Sequence, residues 1–548
     1  MEKRVLLAVV LSMAILVVWN TLIMPPPKVP APPTQTAGSE EAVDTTVRPP
    51  SDTAPLVATE EPAPARPDIE EAPAAEGQDI IVETSLYRAT FNTAGATVTA
   101  WELKNYTDSE GKNVQLYEPA PYVLPPLSVI AGDSRADKPT RWVYRADRDA
   151  VRISGEETAT LNMSYRDASG LAVTKTFTFT GNAYGIGMAV KVDGVSSWQL
   201  ALGSGFGLTA GSGSALYVHV GPSLLQGTDR ESFKPKDLKN GQLNFDGEVY
   251  WVAQEDKYFS SALRPETGTG SARLWQHNEK IEIGLRMNEP EARLLLYVGP
   301  KQYDILKKNG LQDIVDFGFW SFIAHPLFWF LKLLYRVTGN YGVAIILISV
   351  LTRLPFIPLM NKSQASMKAM QSLNPKMQEL KKKYKDDAQR LQAETMKLYK
   401  EAGVNPMAGC MPMLLQIPVF FALYKVLLVS IELRQASFVL WLQDLSAPDT
   451  LFGHFPESIP LLGGSALGIL PLLMGISMWL QQRLTPNPST MDPNQAKIMK
   501  FLPVIFTFMF FNLSSGLVLY WTVGNVLSIV QQLITNRKTA AAAARAAS

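Results

Sequence analysis

Residues 341–361 read YGVAIILISVLTRLPFIPLMN, an apolar run interrupted by a single arginine, Arg353. As a helix, about 20 such residues span the ~30 Å hydrocarbon core of a bilayer. A charge inside such a run costs at least ~2.5 kcal/mol on insertion scales, so it normally faces a bundle interior or a water-filled cavity. At ~1.5 Å per residue Arg353 lies roughly 12 Å from Asn361 and roughly 18 Å from Tyr341, off-centre toward the lysine-rich end. The plainer alternative is a side chain reaching out to the nearer surface.

The chain has 548 residues, enough for several domains, and its 51 Lys+Arg nearly cancel its 50 Asp+Glu. The total charge therefore says nothing of partners; its exclusion from several long apolar runs does. A single cysteine, Cys410, excludes an internal disulfide and a cysteine-based zinc site. The four histidines are scattered without HExxH spacing, and no GxxxxGK[ST] loop occurs, so neither a metalloprotease nor a P-loop nucleotidase is indicated.

Residues 1–24 have a short basic start and an apolar run, and no small-residue cleavage site precedes the prolines at 25–27. They are expected to be an uncleaved membrane anchor with Lys3 and Arg4 inside. Residues 25–77, rich in Pro, Ala, Glu and Thr, are expected to be a disordered tether. From 78 to 300 short runs alternate polar and apolar residues between turn signals, the pattern of an all-β sandwich placed outside the cytoplasm. No catalytic acid pair stands out there, and a structural module is preferred over a carbohydrate-processing one. Residues 301–340 read as a linker and an interfacial amphipathic helix, with aromatic bulk on one side and Lys332 and Arg336 on the other. Gly339-Asn340 suits the break before the next helix.

Beyond the 341–361 span, 362–405 is polar and rich in Lys and Arg, expected to be a cytoplasmic helical hairpin with its tip near 384–387. Further spans are expected at about 406–431, 465–482, 499–512 and 516–535. The last two are split at Asn512-Leu-Ser-Ser-Gly516, because only two crossings put Arg483, Lys497 and Lys500 on the same side as Arg537, Lys538 and Arg545. The outcome is an α-helical polytopic membrane protein of six transmembrane helices, both termini cytoplasmic, with a short tail at 536–548.

No Asp or Glu lies within any of these apolar runs. Buried membrane charges normally pair, so Arg353 must meet water, lipid phosphate or a visitor. Gln416 lies at a similar depth, roughly 13 Å from the cytoplasmic end of its helix, and Ser349 sits one turn from Arg353 on the same face. Together they suggest a polar pocket in the inner half of the membrane; an ordinary interhelical hydrogen bond is the alternative for Gln416. A transporter or channel would need polar faces on several helices and usually an ion-binding carboxylate. A membrane-anchored carbohydrate-binding protein would not need five further helices.

Four stretches together resemble the YidC membrane protein insertases of Gram-negative bacteria. They are Arg353 followed by Pro358, NPMAGCMPMLLQIPVFFALY at 405–424, ELRQASFVLWLQDLSAPD at 432–449 and PVIFTFMFFNLSSGLVLYWTVGN at 503–525. The resemblance is collinear over nearly the whole chain. It implies a periplasmic supersandwich similar to the galactose mutarotase fold, without sugar chemistry, and a five-helix insertase core in the inner membrane. It also implies a non-enzymatic function without cofactor or metal: inserting nascent membrane proteins, alone or with the Sec translocon. Arg353 matches the arginine of the family's hydrophilic groove, which opens to cytoplasm and lipid. Ser349 stands where threonine is frequent, and Tyr520-Trp521 stands where two tyrosines are common, so one hydroxyl is replaced by an indole. Ser349, Gln416, Tyr520 and Trp521 are thus expected around Arg353. Met411, Met413, Ile417, Pro418, Phe420, Pro503 and Phe506 are expected to form an apolar slide for the substrate helix. The hairpin is expected to recruit ribosomes or targeting factors, with no specific nucleic-acid sequence recognised. The β-domain is expected to be largely dispensable for insertion.

Overall fold

The computed structural model describes residues 77–547 except 109, 118–123, 133–141, 208–217, 239–240, 278–279, 386, 405–410, 460–462 and 485–492. It describes the side chains of all of these but 235, 277, 388, 411–415, 493–499 and 538–547. The expected anchor at 1–24, and the tether up to 76, lie outside the described residues.

Between Asp79 and Pro300 the chain forms a β-rich domain of two sheets, one of five strands and one of thirteen. Strand pairing is antiparallel throughout except where Asp79–Glu83 runs parallel to Ala150–Arg152. Alternation in sequence becomes alternation in burial: along Ala172–Thr180 the side chains at 173, 175, 177 and 179 are fully buried. The two sheets meet through aromatic contacts, with Phe91 5.0 Å from Phe177 and 5.9 Å from Phe179. Lys175 sits in this core with no exposed surface. Burial pulls its ammonium down to about 7, and it donates to the carbonyls of Gly95, Ala96 and Leu127 at 2.8, 2.9 and 2.7 Å. A polar head at the end of an apolar stem thus ties three backbone acceptors that would otherwise be unpaired.

A second buried charge group lies near the end of the domain. Glu255 is flanked by Arg230 at 2.6 Å and Lys301 at 2.7 Å, and accepts from the Ser223 hydroxyl. Burial by itself would raise this carboxyl; the pull of Lys301 and then Arg230 outweighs it and leaves the group at about 2.

Among the described residues the remainder carries ten α-helices: α1 (Tyr303–Lys308), α2 (Ser321–Thr338), α3 (Tyr341–Arg353), α4 (Ile357–Ser372), α5 (Asn374–Lys383), α6 (Ala388–Glu401), α7 (Met411–Val429), α8 (Ile469–Leu484), α9 (Pro493–Phe510) and α10 (Ser515–Ala547). Two helical runs, Tyr341–Ser372 and Ser515–Arg537, are long and apolar enough to cross a membrane, and Gln416–Val429 and Lys500–Phe510 are shorter apolar helices.

The helix ends follow from residue type. Gly339 closes α2 at φ 66°, where its N–H reaches the Tyr335 carbonyl, and the Asn340 side chain accepts from Val343 N to open α3. α3 stops at Arg353 because Pro355, two residues on, cannot supply the next N–H; a single 3₁₀ turn, Leu354–Phe356, leads into α4. α4 then runs eleven residues past the expected end of the span at 361. A small separate core of Met370, Met377 and Tyr399 steadies the α5–α6 hairpin. α10 continues through the alanine-rich tail, a composition with high helix propensity.

α2 buries Ala324, Leu327, Phe328 and Leu331, and presents Phe322, Trp329, Phe330 and Val337 outward. α8 and α9 approach closely at Gly475, where a Cβ would stand 2.0 Å from Thr507 Oγ1.

One loop, residues 430–468, gathers the ends of four helices. Asn340 Nδ2 donates to Phe438 O at 3.1 Å, and Ser515 N and Gly516 N donate to Ala447 O and Leu445 O, each at 2.8 Å. The buried Asp449 carboxylate accepts from Leu470 N at 2.8 Å, capping the start of α8. The β-domain is joined to this loop, since Gln435 Nε2 donates to Thr107 O at 2.9 Å and Arg434 donates to the same carbonyl.

Candidate functional site

Arg353 ends α3 on the side away from the 430–468 loop. Counting ~1.5 Å per residue, it lies roughly 18 Å from the start of α3, while Ser528 and Gln416 lie roughly 20 Å from the loop ends of α10 and α7. Three helices therefore deliver polar side chains at one level. Arg353 Nη1 donates to Ser528 Oγ at 2.6 Å, and Gln416 and Tyr520 line the same pocket as Arg353. Thr352, Arg353, Phe356, Met360, Gln416, Val419 and Tyr520 line a pocket of about 300 Å³ including its mouth. Arg353 and Gln416 are both half-buried.

The electrostatics are one-sided. Among the described residues no Asp or Glu forms an ion pair with Arg353, and its described partner is a neutral hydroxyl. A guanidinium carries five N–H donors in a planar fork, so one bond to Ser528 leaves most of that fork unspent. The single 3₁₀ turn at Leu354–Phe356 follows directly, and Phe356 and Met360 wall the pocket there. Such an arrangement can hold an anion at mid-depth, but it contains no nucleophile–base pair; among the described residues there is also no His, Cys, Asp or Glu cluster able to hold a metal.

A family model described as 60Kd inner membrane protein matches residues 333–542, and one described as YidC periplasmic domain matches residues 79–330. A membrane protein insertase YidC from Pelobacter propionicus is 38% identical over 560 residues, which is 98% of this chain and 99% of the relative. Another from Geobacter metallireducens is 38% identical over 572 residues, the whole of both chains. This chain belongs to the YidC membrane protein insertase family. Among solved structures, an active YidC insertase with its first transmembrane domain resolved matches at 18% identity and a TM-score of 0.35, covering 83% of this chain and 94% of that one.

The positions expected from the residues and from the YidC resemblance do not all come together. Arg353, Gln416 and Tyr520 come together in the pocket. Ser349 does not line it: the side chain is buried and donates to Ile345 O at 2.6 Å, on the face α3 packs against its neighbours. Beside the Tyr520 hydroxyl the pocket is lined by that of Thr352, and the hydroxyl that Arg353 meets is that of Ser528; neither Thr352 nor Ser528 was expected from the sequence. Trp521, one residue round α10 from Tyr520, points into an aromatic cluster, 4.8 Å from Phe420, 5.1 Å from Phe510 and 6.0 Å from Phe506.

Of the slide residues, Ile417, Pro418, Phe420 and Phe506 are half-buried and Pro503 is buried; the side chains of Met411 and Met413 lie outside the described ones. The outward stripe of α9 is made by Phe501, Val504, Ile505, Phe508 and Met509, all exposed and spaced three and four apart. Phe506 and Phe510 face the Trp521 cluster instead.

Proposed function

We propose that the chain is an inner-membrane insertase, not an enzyme, in which the Arg353 pocket receives the polar tail of a nascent membrane segment. The observation that carries this reading is a half-buried arginine at mid-depth whose only described partner is a serine hydroxyl. A carboxylate ~4 Å from a guanidinium gains ~4 kcal/mol at an effective dielectric of ~20, against ~1 kcal/mol in water. An acidic tail drawn into the pocket is thus compensated for part of its lost hydration before it meets bare lipid. The apolar segment behind it then lies along α7 and the outward stripe of α9 and leaves sideways, driven by ~0.8 kcal/mol per buried CH₂. This sequence of events needs no nucleotide hydrolysis.

In this reading six helices cross the membrane with both termini cytoplasmic, and the 430–468 loop closes the groove toward the periplasm while its other end stays open to cytoplasm and lipid. The α5–α6 hairpin, exposed and basic, meets ribosomes or targeting factors, and the Sec translocon is a partner for part of the client range. The test is site-specific crosslinking from positions 416–424 to a stalled nascent membrane protein. Adducts from this face of α7, and none from the far side of the bundle, are expected; absence of adducts from α7 would remove the slide.

A further inference from the structure

Gly524 and Ser528 lie one turn apart on α10, and Arg353 rests against both. Ser528 Oγ accepts from Arg353 Nη1 at 2.6 Å and donates its own proton to the Gly524 carbonyl at 3.0 Å. The hydroxyl proton is thereby committed to the helix, so the lone pairs are what the guanidinium meets. A Cβ at position 524 would stand 3.0 Å from Arg353 Nη2 and 3.7 Å from Cζ. Gly524 lies within a helix and is not among the positive-φ glycines. Its backbone conformation therefore does not require glycine; a Cβ there would meet the far end of the Arg353 side chain, which would have to give way by a few tenths of an ångström.

The geometry points to Gly524 and Ser528 as a cradle that positions the Arg353 guanidinium for an incoming carboxylate. The inference rests on the groove reading of Arg353 given above. A carboxylate is bound best by two parallel N–H groups of a planar fork whose orientation is already set. Holding one N–H at Ser528, with the rest of the group laid over bare backbone at Gly524, sets that orientation before the substrate arrives. Preorganisation of this kind strengthens capture by lowering what must be immobilised on binding. Ser528 and Gly524 are thus positioning residues: they act through Arg353 and set how strongly the pocket distinguishes acidic tails from neutral ones.

The test measures initial insertion rates of one single-spanning client in two forms, with its translocated tail acidic or with the acids replaced by Asn and Gln, using the full-length protein in membranes. The readout is the ratio of the two rates, which a mere loss of protein stability leaves unchanged. Ser528→Ala is expected to lower the ratio about threefold to tenfold, the scale of one charge-assisted hydrogen bond partly replaced by water. Ser528→Thr, which keeps the hydroxyl, should restore it. Gly524→Ala keeps Ser528 but crowds Nη2, and should lower the ratio as well, so the test survives poor accumulation of one variant. Arg353→Ala is the reference arm. If it abolishes the tail preference while Ser528→Ala and Gly524→Ala leave it intact, the cradle is wrong and the groove stands. If Arg353→Ala leaves the preference intact, the groove reading itself has failed.

Discussion

Replacing Glu255 by Gln removes the negative member of a buried charge group and leaves Arg230 and Lys301 facing a neutral amide. The Glu255 side chain is fully buried, and the two cations lie 2.6 and 2.7 Å away with little exposure of their own. Two routes give the magnitude. Breaking a buried pair by removing one partner costs ~3–5 kcal/mol, because a charge remains uncompensated. Independently, a carboxyl that titrates at about 2 rather than 4.5 contributes about 3 kcal/mol at neutral pH, at ~1.4 kcal/mol per unit. Because the folded group titrates below the unfolded one, this contribution is complete above the unfolded value and disappears as pH falls toward about 2. For a domain of roughly 150–250 residues, about 3 kcal/mol lowers the melting temperature by ~6–12 °C. Tryptophan fluorescence melts of the full-length protein in detergent report this through Trp251, which is buried four residues away on the same strand. Wild type should lose its advantage over Glu255→Gln progressively between pH 5 and pH 2.5. A difference under about 2 °C at pH 7, or one that does not shrink in acid, would refute the reasoning.

Lys175→Met should cost about 3 kcal/mol in the same melts, since three buried carbonyls each lose their donor at ~1 kcal/mol or more; an effect under ~1 kcal/mol would mean water replaces the ammonium. At Gly342 a Cβ would stand 2.0 Å from Phe438 Cδ2, so Gly342→Ala should cost ~1–3 kcal/mol by overpacking and raise protease cleavage within 430–468. Unchanged cleavage would show that the ring moves aside freely. A reporter fused after Ser515 should be periplasmic and one after Lys538 cytoplasmic; both on one side would contradict the paired crossing of α9 and α10.

Much of the fold is legible in local sequence. The β-domain is written in period-two alternation, and Gly339-Asn340 and the Asn512–Gly516 segment carry their turn chemistry openly. Asn512 Nδ2 in fact donates to Ser465 Oγ at 2.9 Å, fastening that turn to the loop before α8. The pocket was legible only in part, because the helical repeat says which residues share a face but not which part of that face a neighbour covers. Ser349 and Arg353 share one face of α3, yet Ser349 is packed over and Arg353 is not. The partner that Arg353 meets, Ser528, lies 175 residues away in sequence, and no local periodicity links them. One signal was available and went unread: Pro355 directly after Arg353-Leu354 ends α3 at the arginine and makes the pocket wall at Phe356. That Phe506 is half-buried was also hidden, since α9 is rich in apolar residues and composition alone does not mark which stripe faces outward.

The central claim, that Arg353 is the groove's charge and not a snorkelling anchor, is tested most directly by insertion of one client with its acidic tail present or neutralised, in wild type, Arg353→Ala, Arg353→Lys and Arg353→Glu. Arg353→Ala should impair the acidic client and largely spare the neutral one, Arg353→Lys should retain most activity, and Arg353→Glu should be worse than Arg353→Ala for the acidic client only, since like charges repel in a weakly screened site. Equal defects for both client forms across the three variants would contradict the account and leave Arg353 a hydration or packing residue.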